Sequence, residues 1–119
     1  MLDGAARKVQ REVPTGMGAH GLYLSRDATK LYVTNRHEGS VSVLDAYTGN
    51  PVTKWQIPGG GSPDMGNVTA DGTQLWLSGR NDRAVYVRIG TAHLSEAPTA
   101  RCISVSVRPS YRGHLHATP

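Results

Sequence analysis

An all-β fold built from repeated four-stranded units is what this 119-residue sequence predicts, and three observations predict it. The first is a repeat. Asp27 and Asp71, Leu31 and Leu75, Arg36 and Arg80, Val41 and Val85, and Val43 and Val87 are identical pairs, each 44 residues apart. Between them the residue types match, Tyr32 with Trp76, Thr34 with Ser78 and Glu38 with Asp82. Upstream, Val13-Pro14-Thr15-Gly16 stands 44 residues before Ile57-Pro58-Gly59-Gly60. The second observation is a hydrophobic period of two within each unit, the mark of strands that bury one face. The third is that no stretch carries a helical apolar face. A period of roughly 40–45 residues filled with short strands is that of β-propeller blades. The expected fold is thus a partial β-propeller with about two four-stranded antiparallel blades, the second incomplete, since closed propellers take about 4–8.

Each element follows from local chemistry. Gly21–Ser25 reads as a first strand, and Arg26-Asp27-Ala28-Thr29 as a turn, because Asp bonds its own backbone and initiates turns. Leu31–Asn35 is rich in β-branched and aromatic residues and reads as a second strand. Arg36-His37-Glu38-Gly39 is a polar loop, and Ser40–Leu44 alternates strictly as a half-buried third strand. Asp45–Asn50 suits a hairpin loop with Gly49 in the left-handed conformation. Val52–Ile57 is the outer strand, and Pro58–Pro63 crosses to the next unit. Strands recur at Met65–Thr69, Gln74–Ser78 and Ala84–Val87.

The chain divides into an N-terminal segment, residues 1–17, that includes the end of a preceding blade; a blade over 18–61; a partial second blade over 62–88; and an irregular tail over 89–119. In the tail the register breaks, with Leu115 where the Asp turn belongs. Two readings stand, a divergent end and a shifted reading frame. Read from the third base of each preceding codon, Glu96–Ala100 admits Gly, Pro, His and Gly, close to Gly18-Ala19-His20-Gly21. The one alternating stretch, Ile103–Val107, is expected to pair against the open edge of the second unit.

Composition excludes several classes. The net charge of +4 owes much to Arg101, Arg108 and Arg112, which follow the last acidic residue, Glu96. No Lys/Arg run is interleaved with stacking aromatics, so a nucleic-acid binder is not expected. The single Cys102 excludes an internal disulfide. No apolar stretch reaches the length of a membrane span. Met1-Leu2-Asp3-Gly4 opens without an export signal, so a cytoplasmic chain is expected as it stands, and an exported one if an N-terminal part is missing.

Leu31-Tyr32-Val33-Thr34-Asn35 contains the four letters that name the YVTN family of β-propeller repeats. Gly21–Asp27 before it and Ser40–Gly49 after it resemble the other landmarks of that family, over about residues 8 to 88. The second unit keeps the Asp71-Gly72 turn but has Leu75-Trp76-Leu77-Ser78-Gly79 for the name motif. The resemblance implies a WD-repeat-like scaffold and leaves activity open, because one fold hosts many functions.

In such a blade the outer-strand crossing and the second-to-third-strand loop emerge on one face beside the central channel. His20, Arg36, His37, Asp64 and Arg80 are then expected on that face as a ligand-binding group. Guanidinium forks suit carboxylates and phosphates, and imidazoles ligate metals or carry protons. The structural alternative pairs Arg36 and Arg80 with Glu38 or Asp82 and has His20 cap a turn. Weaker candidates are His114-Leu115-His116, too few ligands for a metal site, and Gly59-Gly60-Gly61, which lacks the Lys-Ser/Thr of a phosphate loop. Ser62 and Ser78 have no nucleophile elbow. The Asn67-Val68-Thr69 sequon falls on a strand expected to be buried, and Tyr32 and Trp76 are expected in core or inter-blade packing.

The leading expectation is a non-catalytic β-propeller repeat module for ligand or protein binding, a fragment of a longer propeller, with no catalytic residue, metal or cofactor. Its expected partner is a small anion or a protein, and open sheet edges invite self-association. The alternative is a fragment of a propeller enzyme, lactonase-like or oxidoreductase-like, with its site on the channel face. A third reading is the remnant of a longer gene with no independent role.

Overall fold

A computed structural model describes residues 1–89 and the strand at 102–106. The strands are β1 (Leu2–Asp3), β2 (Lys8–Val9), β3 (Ala19–Leu24), β4 (Lys30–Asn35), β5 (Ser40–Asp45), β6 (Pro51–Gln56), β7 (Pro63–Val68), β8 (Gln74–Gly79), β9 (Ala84–Ile89) and β10 (Cys102–Ser106). Among the described residues there is no helix, and so none long and apolar enough to cross a membrane. β1 and β2 form a hairpin, and two antiparallel sheets run β3-β4-β5-β6 and β10-β9-β8-β7. The expected strands match to within about two residues, the usual scatter of strand ends. The contiguous part of the second unit contributes three strands, and the alternating stretch expected to pair against its open edge does so. β10 supplies the fourth, with Ile103 opposite Val87, one residue earlier than the expected stretch. The other expectations for the tail, including His114 and His116, lie outside the described residues.

The turns repeat as the sequence does. Asp27 Oδ1 accepts hydrogen bonds from Ser25 Oγ (2.6 Å), Thr29 N (3.0 Å) and Thr29 Oγ1 (2.8 Å). Asp71 Oδ1 does the same with Thr69 Oγ1 (2.6 Å), Thr73 N (3.0 Å) and Thr73 Oγ1 (2.8 Å). The residue after each Asp takes the left-handed conformation, Ala28 at φ 60° in one turn and Gly72 at φ 76° in the other. A second turn type also recurs. Asp45 Oδ1 accepts Tyr47 N and Thr48 N, and Asp3 Oδ1 accepts Ala5 N and Ala6 N. The β1–β2 hairpin is therefore built like the β5–β6 hairpin. Two-residue strands are too short to show alternation, so the sequence did not mark them as strands.

These turn carboxylates make acid stability predictable in sign. Hydrogen bonds from Ser25, then Thr29, hold Asp27 down to about 2, and bonds from Thr69, then Thr73, do the same for Asp71, against an ordinary value of 3.8. Their contribution is complete above the unfolded value and is lost as pH falls through the folded one. Thermal midpoints measured from pH 5 down to pH 2 should fall mainly below about pH 4. Asp27→Asn combined with Asp71→Asn keeps an acceptor oxygen but cannot titrate, so it should flatten that fall. Equal slopes for parent and variant would exclude these turns as its cause.

The core lies between the two sheets. Tyr32, Val41 and Val43 from the first sheet meet Val68, Leu75, Leu77 and Tyr86 from the second, with Ile57 of the crossing segment between. Tyr32 is directly opposite Val43, and both are fully buried. The Tyr32 and Trp55 rings lie 5.3 Å apart, and the Arg88 guanidinium sits 4.5 Å over Trp55, a cation–π contact. Inner strands hold the sheets together with polar bonds as well. Tyr23 Oη accepts from Gly66 N (2.8 Å), and Arg26 donates from Nε to Thr69 O (3.0 Å) and from Nη2 to Val68 O (2.5 Å). Trp76, expected in core or inter-blade packing, is instead 46% exposed and donates to Gln74 Oε1. Its face of the second sheet points away from the first.

Candidate functional site

Strand direction brings the site residues to one end of the sheets. Ala19 pairs with Asn35 and Asn35 with Ser40, while Pro63 pairs with Gly79 and Gly79 with Ala84. The Asp27, Asp45 and Asp71 turns close the opposite end. Both first strands carry an irregular register there, between Ala19 and Leu22 and between Pro63 and Gly66. Such irregularities re-aim side chains, and His20 and Asp64 lie within them. Arg36 and Arg80 begin the loops after the second strands, held alike by Arg36 N to Gly18 O (2.9 Å) and Arg80 N to Ser62 O (3.0 Å).

Asp64 is the hub. Its main-chain oxygen accepts from Thr34 Oγ1 (3.1 Å), which clamps the start of β7 onto the first sheet. Its side chain is only 9% exposed. Oδ1 lies 2.6 Å from His20 Nε2 and 3.9 Å from Arg36 Nη1, and Oδ2 accepts from Arg80 Nη1 at 3.2 Å. Four of the five expected residues thus meet around one carboxylate. His37 does not share in those contacts. Its backbone N donates to Met17 O (3.1 Å), and its ring packs against Gly18, whose φ of +74° and lack of a Cβ permit that approach.

The arginines therefore do pair, but with Asp64 rather than with Glu38 or Asp82, and His20 meets a carboxylate rather than capping a turn. Glu38 and Asp82 are occupied elsewhere. Glu38 Oε2 accepts from Ser40 Oγ and from Lys54 Nζ (3.1 Å), the first of which does most to hold its carboxyl below the usual range. Asp82 Oδ2 accepts from Tyr86 Oη and from Ser62 Oγ (2.7 Å), and both bonds lower it. Burial, then Asp82, pushes the Tyr86 phenol up. Tyr86 Oη also accepts from Ser62 N (3.2 Å), so this network pins the crossing segment beside Arg80. Sequence reasoning missed it. The matching positions Glu38 and Asp82 signalled a shared polar role, but not the partners.

The cluster holds one carboxylate against two guanidiniums and has net positive charge. Arg80 is 57% exposed and His20 38%, so the cationic side faces solvent while the anion is buried. That polarity suits an anionic group arriving from solution. Among the described residues, no three His, Cys, Asp or Glu side chains converge as a metal set.

No family model matches the sequence, and no curated protein matches it. Among solved structures, the chain is similar to Kuenenia stuttgartiensis hydrazine synthase, at 25% identity over 68% of this chain, with a TM-score of 0.55. The match spans 22% of that chain, so this sequence corresponds to a minor part of the larger protein.

Proposed function

We propose that this chain is a non-catalytic repeat module of a YVTN-type β-propeller, its two four-stranded sheets acting as adjacent blades, and that it binds a small anion or an acidic partner. The observation that carries the binding role is the convergence of Arg36 and Arg80, equivalent residues of two repeats, on one buried carboxylate at one end of the sheets. Asp64 hydrogen-bonds the Arg80 guanidinium and attracts that of Arg36 at 3.9 Å, and a planar fork so oriented suits carboxylate and phosphate. The 44-residue repeat, the shared Asp turns and the stacking of the sheets support the propeller reading.

Titration with inorganic phosphate and with acetate tests it. A charge-assisted hydrogen bond contributes about 1.5–3 kcal/mol, so Arg36→Ala with Arg80→Ala should weaken binding at least about tenfold. Equal binding by parent and variant, or none by either, would remove the idea. The likeness to hydrazine synthase favours a second reading, a part of a propeller enzyme (lactonase-like or oxidoreductase-like) in which His20 and Asp64 carry a proton. Lactone hydrolysis by the parent that His20→Gln abolishes would select that reading.

A further inference from the structure

The two sheets stack in one sense only. The face of the first sheet bearing Tyr32, Val41 and Val43 meets the face of the second bearing Val68, Leu75 and Leu77. By the 44-residue repeat, Tyr32, Val41 and Val43 correspond to Trp76, Val85 and Val87, whereas Val68, Leu75 and Leu77 correspond to Leu24, Leu31 and Val33. The junction thus joins unlike faces. Each sheet then keeps part of one face, of the opposite type, open, although Val33 (3%) and Leu44 (4%) on the first and Val87 (6%) on the second are already covered. On the second sheet this face exposes Trp76 (46%) and Met65 (61%); on the first it exposes Leu22 (63%) and Leu24 (51%).

We propose that a second copy of this chain seats its Leu22/Leu24 face on the Trp76/Met65 face, repeating between copies the contact made within one. The internal junction is the template, since the same repeat supplies both halves. Repeating its polar fitting requires one hydroxyl to turn. Thr34 Oγ1 bonds Asp64 O across the junction, and Ser78, its equivalent, holds its hydroxyl on Met65 O at 3.1 Å at the edge of the open face. On the first sheet, residues 11–16 already lie against the outer strands: Lys54 Nζ donates to Thr15 O, and Arg11 and Val13 approach Gly49. The apolar opening is accordingly confined to β3, the strand that packs on β7 inside the chain. Three internal bonds, that of Gly66 N to Tyr23 and those of Arg26 to Val68 O and Thr69 O, have no counterpart, because Asn67 stands at the place of Tyr23 and Ala70 at that of Arg26. The contact between copies is therefore weaker than the internal one. Joining unlike faces runs head to tail, ending in a ring or an open string. This inference rests on the sheet stacking and not on the anion site.

Sedimentation velocity of the full chain over a range of concentrations tests it, with Trp76→Glu and with Leu22→Glu plus Leu24→Glu. The parent should show concentration-dependent association, and each variant alone should sediment as a monomer with an unchanged thermal melt. Mixed in equal amounts, the two variants should form a species of two chains and none larger, since each retains the face that the other lacks. Met65→Glu and Leu24→Lys replace any variant that fails to melt cooperatively. A parent that stays monomeric overturns the proposal, as does a mixture that stays monomeric. Self-association by one variant alone would show that like faces pair, and would overturn it equally.

Discussion

Tyr32→Ala is expected to remove a large share of the stability of this chain. Tyr32 is fully buried, faces Val43, stacks near Trp55, and belongs to the cluster that both sheets share. Truncating a buried aromatic costs about 3–5 kcal/mol in lost burial and unfilled space. A small domain holds about 5–15 kcal/mol in all. Urea denaturation should show a much lower midpoint, or no folded baseline. Trp76→Ala, at the equivalent position of the next repeat, is the internal control. Its side chain is partly in solvent already, so its cost should be less than half as large. Equal costs for the two would mean that the core does not lie between the sheets.

Gly66→Ala is expected to disrupt the second sheet. A Cβ at Gly66 would fall 1.8 Å from Trp76 O and 2.8 Å from Trp76 C. The obstacle is backbone in mid-strand, with Trp76 opposite Asn67 on one side and Val87 on the other, so no side-chain rotation relieves it. Gly66 N also donates to Tyr23 Oη, a bond that ties the sheets together. Overpacking costs about 1–3 kcal/mol where neighbours can give, and more where they cannot. A loss of about 3 kcal/mol or greater is expected, read from the urea midpoint and the near-ultraviolet signal of the tryptophans. Gly4→Ala, with nothing within 4 Å, should leave both unchanged. A Gly66→Ala protein as stable as the parent would show that β7 and β8 are not in this register.

Much of this architecture is legible in the sequence. Strict alternation at Ser40–Leu44 and the Asp-initiated turns depend on neighbours a few residues away, so they declare themselves locally. The repeat then placed His20, Arg36, Asp64 and Arg80 at one end of the sheets. What it did not reveal was the hub. Glu38 and Asp82 are nearer in sequence to the arginines, but each is held within its own sheet by a hydroxyl partner, Ser40 or Ser62 and Tyr86. Asp64 is free to take both arginines because stacking carries the start of β7 onto the first sheet.

The period, the repeated Asp turns and the order of β3 to β6 and of β7 to β9 were thus determined by the sequence alone, since hydrogen bonding and alternation over short distances decide them. The tertiary structure decided which of two equally apolar faces is covered. Tyr32 and Trp76 occupy the same place in the same pattern, yet one is in the core and the other faces solvent. Burial of a sheet face depends on what packs against it from another part of the chain, and no local pattern encodes that.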